Sequence, residues 1–194
     1  MKHPSILFLP SFLVALSCGM PEVVLPTPIT RPAVTPGGCI SPEPTQKDID
    51  RVLSFASGVI DPAEWERSYT VGEYRVAVTW QNTPLSAVIY LEALIFPCGY
   101  DEADLDDYFS GENWEIIFYD YENHELTSQC KTPQGLRLYE FDAGNQGLDY
   151  KIRYWARKDT DTRAIVLMIV FPPGSKSTMD DYSSRLFPQL TSCP

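Results

Sequence analysis

Proline placement confines where this chain can fold. Residues 20–44 read MPEVVLPTPITRPAVTPGGCISPEP, and seven of these 25 are proline. Repeated X-Pro steps favour extended, polyproline-like backbone and exclude helix. At about 3.1 Å per residue the stretch reaches on the order of 70 Å, as a semi-rigid stalk would. A docking site for a proline-binding module is the alternative. Cys39, just after Gly37-Gly38, is placed to end the free stretch by pinning it to the folded body. That body is thereby confined to residues 45–194. It is one domain, large enough to bury a core. Apolar residues make up 44% of the chain and aromatics 12%, a globular rather than a disordered composition. No apolar run in the body approaches the roughly 18 residues that a membrane-spanning helix needs.

Residues 1–17 read as a signal for export. Lys2 and the amino terminus form a short positive region, and residues 6–16 form an apolar one, interrupted by Pro10 and Ser11. That length suits a secretory signal and is too short to span a bilayer. Ala15 and Ser17 have the spacing an ordinary signal peptidase reads, but the next residue is Cys18. The run Val14-Ala15-Leu16-Ser17-Cys18 resembles a bacterial lipobox, with the Leu one place later than usual. The resemblance implies a lipoprotein carrying a thioether diacylglycerol, often with a third acyl chain, on Cys18. It covers only these residues. Buried acyl chains contribute roughly 0.8 kcal/mol per methylene, so two or three of them anchor stably to the outer face of a membrane.

Cysteine parity agrees. The five cysteines are Cys18, Cys39, Cys98, Cys130 and Cys193. An odd number in an exported protein leaves one unpaired. With Cys18 lipidated, four remain for two disulfides. Cys39 and Cys193 lie at the two ends of the body, and domain ends are often close together. Cys98 and Cys130 each follow an expected strand. The expected pairing is therefore Cys39–Cys193 and Cys98–Cys130.

Charge narrows the partners. Fifteen Lys and Arg against 26 Asp and Glu give −11, and −12 once Lys2 is removed with the signal. Nucleic acid needs a basic face, so it is excluded as a partner. Electrostatic adhesion to anionic lipid is disfavoured too. The field favours a cation or a basic partner, although solubility alone also accounts for it.

Within the body, Thr45 with Asp48 reads as a capping pair. Ile49, Val52, Leu53 and Ala56 then fall on one helix face, and Gly58 is a stop. Residues 69–80 alternate as one or two strands. Residues 87–96 are continuously apolar and read as a central strand. Residues 101–110 form a short acidic helix capped by Asp101. Residues 114–121 and 136–141 read as strands. Residues 150–156 and 163–171 flank Lys158-Asp159-Thr160-Asp161 as the clearest hairpin. Residues 178–187 close with a helix carrying Met179, Tyr182 and Leu186. The expected fold is α+β: a mainly antiparallel sheet of about six strands with N- and C-terminal helices packed on it. This element order is similar to that of the Mog1/PsbP-like fold, as an analogy of order alone.

Catalytic motifs are scarce. His124 is the one histidine after the signal, and there is no GxSxG, HExxH or GxxxxGK[ST]. The cysteine spacing does not suit zinc, and no cofactor is expected. Acidic clusters are the ligand candidates. Asp104 and Asp107 are i, i+3 neighbours on the acidic helix, where they could share a cation or simply form a solvated face. Asp120, Glu122 and His124 alternate, and in a strand would point to one side as metal ligands; Asn123 fits a turn equally well. Residues 142–147 resemble part of a calcium loop without its ligand ladder, and read as a turn. Trp114, Tyr119, Tyr121, Tyr139, Tyr150, Tyr154 and Trp155 suit either a half-buried sheet or an aromatic ligand site. These features lead to a lipid-anchored, non-catalytic binding or scaffolding domain at the cell envelope, its ligand unidentified. A carboxylate-based hydrolase and a cation-binding surface protein are the alternatives.

Overall fold

The computed structural model describes residues 45–55, 63–72 and 74–194. The signal, Cys18, the proline-rich stretch with Cys39, and the positions Ala56 and Gly58 lie outside the described residues.

The elements are α1 (Gln46–Leu53), β1 (Glu66–Gly72), β2 (Arg75–Asn82), β3 (Ala87–Ile95), α2 (Glu102–Tyr108), α3 (Glu112–Ile117), β4 (Asn123–Lys131), β5 (Arg137–Asn145), β6 (Leu148–Thr160), β7 (Arg163–Phe171) and α4 (Lys176–Leu186). Among the described residues seven strands form one antiparallel sheet in the order β1-β2-β3-β7-β6-β5-β4. Two meanders, β1–β3 and β4–β7, join at the β3/β7 pair. The segment α2–α3 carries the chain from the centre of the sheet to its far edge.

Helices cover both faces. One core holds Val52 of α1 and Met179, Tyr182 and Leu186 of α4 against Leu91, Trp155, Leu167 and Ile169. The other holds Leu105 of α2 and Trp114 and Ile117 of α3 against Tyr90, Tyr139, Phe141 and Tyr154. Covering both faces explains why β3 and β7 are apolar without alternation: each is buried along almost its whole length. The α+β architecture is the expected one, with one strand more.

Local chemistry sets the helix starts. The Asp48 carboxylate accepts the Thr45 backbone N–H at 2.8 Å and its hydroxyl at 2.9 Å. The Asp101 carboxylate accepts from the N–H groups of Ala103 and Asp104. Two buried arginines then fasten helices to the sheet from opposite faces. Arg153 on β6 donates to Glu140 at 2.8 Å and to Ser183 of α4 at 3.0 Å, and pairs with Asp180 at 2.8 Å. Arg137 on β5 reaches Glu102 and Asp106 of α2.

Two expectations are corrected. Residues 114–121 do not form a strand: 112–117 is helix α3. Trp114, Ile117 and Phe118 are buried while Ile116 and Tyr119 are exposed, which is helical spacing and not alternation. Gly111, at φ 46°, makes the turn between α2 and α3 that a residue with a Cβ would resist. The strand at that edge is instead β4, NHELTSQCK, with a register shift between Leu126 and Ser128. The half-buried positions of this edge strand are His124, Ser128 and Cys130, so it has no apolar period to read.

The disulfide pairing is the second. Cys130 is bonded to Cys193, with Cα atoms 5.6 Å apart. That excludes both Cys39–Cys193 and Cys98–Cys130. Cys98 follows β3 and Cys130 ends β4, and the register does place both at one rim. Four strand spacings separate β3 from β4, about 19 Å, far beyond the roughly 7 Å a disulfide spans. The chain leaving α4 comes back over the α1/α4 face, where Cys130 and Cys193 pack against the core. Cys98 is itself disulfide-bonded.

Candidate functional site

Among the described residues the most perturbed carboxyl sits inside an apolar strand. Glu92 lies in the middle of β3, in the run AVIYLEALI, and its side chain is 8% exposed. Strand alternation puts it with Val88 and Tyr90 on the α2/α3 face. Its cross-strand neighbours are small or aliphatic: Ala77 on β2 and Val166 on β7, with Ala156 beyond. Water is therefore replaced by methyl groups around a carboxylate.

Three polar side chains bear on Glu92. Arg75 of β2, a diagonal neighbour, brings Nη1 to 3.8 Å from Oε1, outside hydrogen-bond distance. That Nη1 is buried and, among the described residues, has no hydrogen-bond partner. Tyr90 hydrogen-bonds to the carboxyl. The hydroxyl of Tyr154 on β6 is raised well above 10 by burial first and then by the Glu92 charge. Tyr108 of α2 acts on the same tyrosines. Burial pushes the Glu92 carboxyl up to about 7, against the opposing pull of Arg75 and the Tyr90 bond. Desolvation thus outweighs a cation that stands too far away to bond.

Chemically this is a buried acid that exchanges its proton near neutrality. Its charged neighbour is an arginine and its other polar neighbours are tyrosines, so it lacks the second carboxylate of an acid–base pair. Sequence reasoning passed it over. The signal was there: a lone charged residue inside a nine-residue apolar strand.

The acids singled out from sequence are dispersed to other tasks. Asp104 accepts the Asp101 backbone N–H at 2.9 Å and so completes the start of α2. Asp107 is exposed, and its carbonyl accepts from Ser110 and Asn113. Asp120 and Glu122 precede β4, so the strand alternation that would align them with His124 does not apply. Glu122 accepts the Gln146 N–H at 3.3 Å. His124 stacks on Phe118, with centroids 5.0 Å apart, and stands 3.7 Å from Glu115. Among the described residues no three His, Cys, Asp or Glu side chains are arranged to hold a metal. Residues 146 and 147, at φ 52° and 74°, form the two-residue turn of the β5–β6 hairpin.

The acids of α2 that do engage are Glu102 and Asp106. The fully buried Arg137 guanidinium donates to Glu102 Oε2 at 2.7 Å, to the Glu102 carbonyl at 2.9 Å, to the Gly135 carbonyl at 2.9 Å and to Asp106. Lys131 adds a bond to Asp106 at 2.9 Å. Burial raises the Asp106 carboxyl, but the bonds from Arg137 and Lys131 outweigh it and hold the group below the usual range. Most of the aromatic residues pack: Trp114 lies 4.8–5.8 Å from Phe109, Tyr139, Phe141 and Tyr154, centroid to centroid. Tyr119 stays exposed.

No family model matches the sequence. No curated protein matches it. Among solved structures, the chain is similar to PA94 from Pseudomonas aeruginosa, a protein of unknown function, at 12% identity and a TM-score of 0.44, over 70% of this chain and 90% of that one. It is also similar to LpqN of Mycobacterium tuberculosis, described as involved in cell envelope biogenesis, at 12% identity and a TM-score of 0.41, over 69% of this chain and 83% of that one. Likenesses at these scores carry no argument about activity. No helix among the described residues is long and apolar enough to cross a membrane.

Proposed function

We propose that this chain is a lipid-anchored, extracytoplasmic binding or scaffolding domain without catalytic activity of its own. The observation that carries this reading is the oxidation state of the body. Cys130 and Cys193 are bonded to each other, and Cys98 is bonded as well. Disulfides of this kind persist in oxidising compartments outside the cytoplasm. Two intramolecular bonds use four of the five cysteines and leave one over. The lipobox-like run supplies a use for that one, at Cys18.

The polar side chains favour binding over catalysis. Arg137, Arg153 and Arg163 are spent on α2, α4 and Asp48 of α1 respectively. Glu92 favours a carboxylate hydrolase in one respect, since it holds a proton near neutrality. Hydrolysis by paired carboxylates needs a second acid facing the first, and its neighbours are Arg75 and tyrosines. The cation-binding reading would rest on α2, where Asp104 and Asp106 are already engaged.

The test is fractionation. Cys18→Ser should move the protein from the membrane fraction to the soluble one and abolish incorporation of labelled palmitate. A variant that still sediments with membranes after a high-salt wash would overturn the lipid anchor.

A further inference from the structure

Among the described residues six large apolar side chains are left exposed, and four of them belong to one corner of the molecule: Ile116, Tyr119, Leu126 and Leu148. Their neighbours are tied together. Glu115, beside Ile116, approaches His124, which stacks on Phe118. Leu126 lies two residues beyond His124 along β4, on the same strand face. The Glu122 N–H donates to the Gly144 carbonyl and its carboxylate accepts the Gln146 N–H, which brings the start of β4 to the β5–β6 turn. Leu148 opens β6 at that turn, and Tyr121 packs on Tyr150 beside it. The corner lies on the α2/α3 face, at the rim opposite Cys98.

Its surroundings are acidic to an unusual degree. Residues 101–125 hold ten Asp and Glu and not one Lys or Arg. Arg137 and Lys131 neutralise Glu102 and Asp106 at the α2 end. Among the described residues no such partner is brought to Glu112 or Glu115, which flank the exposed side of α3; Glu115 has only His124, at 3.7 Å. An apolar surface open to water costs free energy unless it is used, and a ring of one sign selects what uses it.

We propose that this corner docks a basic, amphipathic protein segment, whose apolar side chains seat on Ile116, Tyr119, Leu126 and Leu148 and whose Lys and Arg side chains meet the acids of α3. Tyr119 is the expected anchor, an aromatic side chain with both an apolar body and a polar tip. The proposal deepens the binding reading above and does not depend on the lipid.

The probe is a peptide of about twelve residues alternating Lys and Leu, with oligolysine of equal length as control. Purified full-length chain should bind the Lys–Leu peptide, with amide shifts concentrated in α3, the start of β4 and the β5–β6 turn. Binding should weaken at least about tenfold between low and high salt, as screened charge pairs do. Ile116→Ser with Tyr119→Ser should weaken it by a similar factor, and so should Glu112→Lys with Glu115→Lys. All four side chains are exposed, so the fold is retained, and unchanged thermal unfolding checks this. Equal affinity for oligolysine, or shifts spread over the whole acidic surface, would overturn the proposal. So would concentration-dependent dimers abolished by Tyr119→Ser, which would make a second copy the occupant. Failure here leaves the Cys18 fractionation result untouched.

Discussion

Replacing Glu92 with Gln removes a charge and little else, and its effect should depend on pH. The folded carboxyl holds its proton up to about 7, against 4.5 for an ordinary Glu. Between those values the native state binds more protons than the unfolded state, so stability falls as pH rises. The loss begins near the unfolded value and is complete once pH passes the folded one. The rise from 4.5 to about 7, at roughly 1.4 kcal/mol per pH unit, makes this at most about 3.5 kcal/mol. Glu92→Gln lacks this term. An amide hydrogen left unpaired there is a buried donor that costs roughly 1–3 kcal/mol at every pH. The absolute stability of the variant therefore carries an offset, but the slope does not. The difference in unfolding free energy, variant minus wild type, should rise by about 2–3 kcal/mol between pH 5 and pH 8. Urea unfolding at each pH with the disulfides intact measures it. A difference that stays flat from pH 5 to pH 8 would show that Glu92 is ionised throughout and that Arg75 solvates it after all.

Further substitutions test the same contacts. Arg137→Met should destabilise by about 2–3 kcal/mol, below the full cost of breaking a buried pair, because Glu102 and Asp106 are about half exposed and regain water; amide exchange should speed up in α2 before it does in β5. Cys193→Ser opens a loop with a sequence separation of 63, a loss of about 4 kcal/mol in the chain-entropy model, readable as a lower urea midpoint. The partner of Cys98 should be Cys39, the cysteine left once Cys18 carries lipid and Cys130 holds Cys193; a non-reduced fragment joining residues 18 and 98 would contradict both that pairing and the lipid.

What the sequence discloses depends on how local the cause is. The Thr45/Asp48 and Asp101 caps are decided within four residues, and both helix starts were legible. So was the β6–β7 hairpin, because two apolar runs flank a polar turn. Helix α3 was not, because its buried set of Trp114, Ile117 and Phe118 lies in a stretch where almost every large residue is apolar, and a strand fits such a run equally well. Strand β4 was invisible for the opposite reason: its half-buried positions are His124, Ser128 and Cys130, so it shows no apolar alternation. The disulfide depended on which strands are neighbours, and strand order is decided by the crossover through α2 and α3, a non-local choice.

The charges carry the same distinction further. Reading the acids by number pointed to Asp104, Asp107, Asp120 and Glu122, because clustering is all that a sequence shows. Folding sorts acids by what faces them. Asp106 is drawn below the usual range because Arg137 and Lys131 arrive from β5 and β4. Glu92 is driven up because β2, β6 and β7 bring it alanine and valine, and a guanidinium that stops at 3.8 Å. Neither partner set is within ten residues of its acid in the chain. An isolated Glu in an apolar strand is thus better evidence of a perturbed group than five acids on an exposed helix, since burial is what the apolar run guarantees and solvation is what the acidic run guarantees.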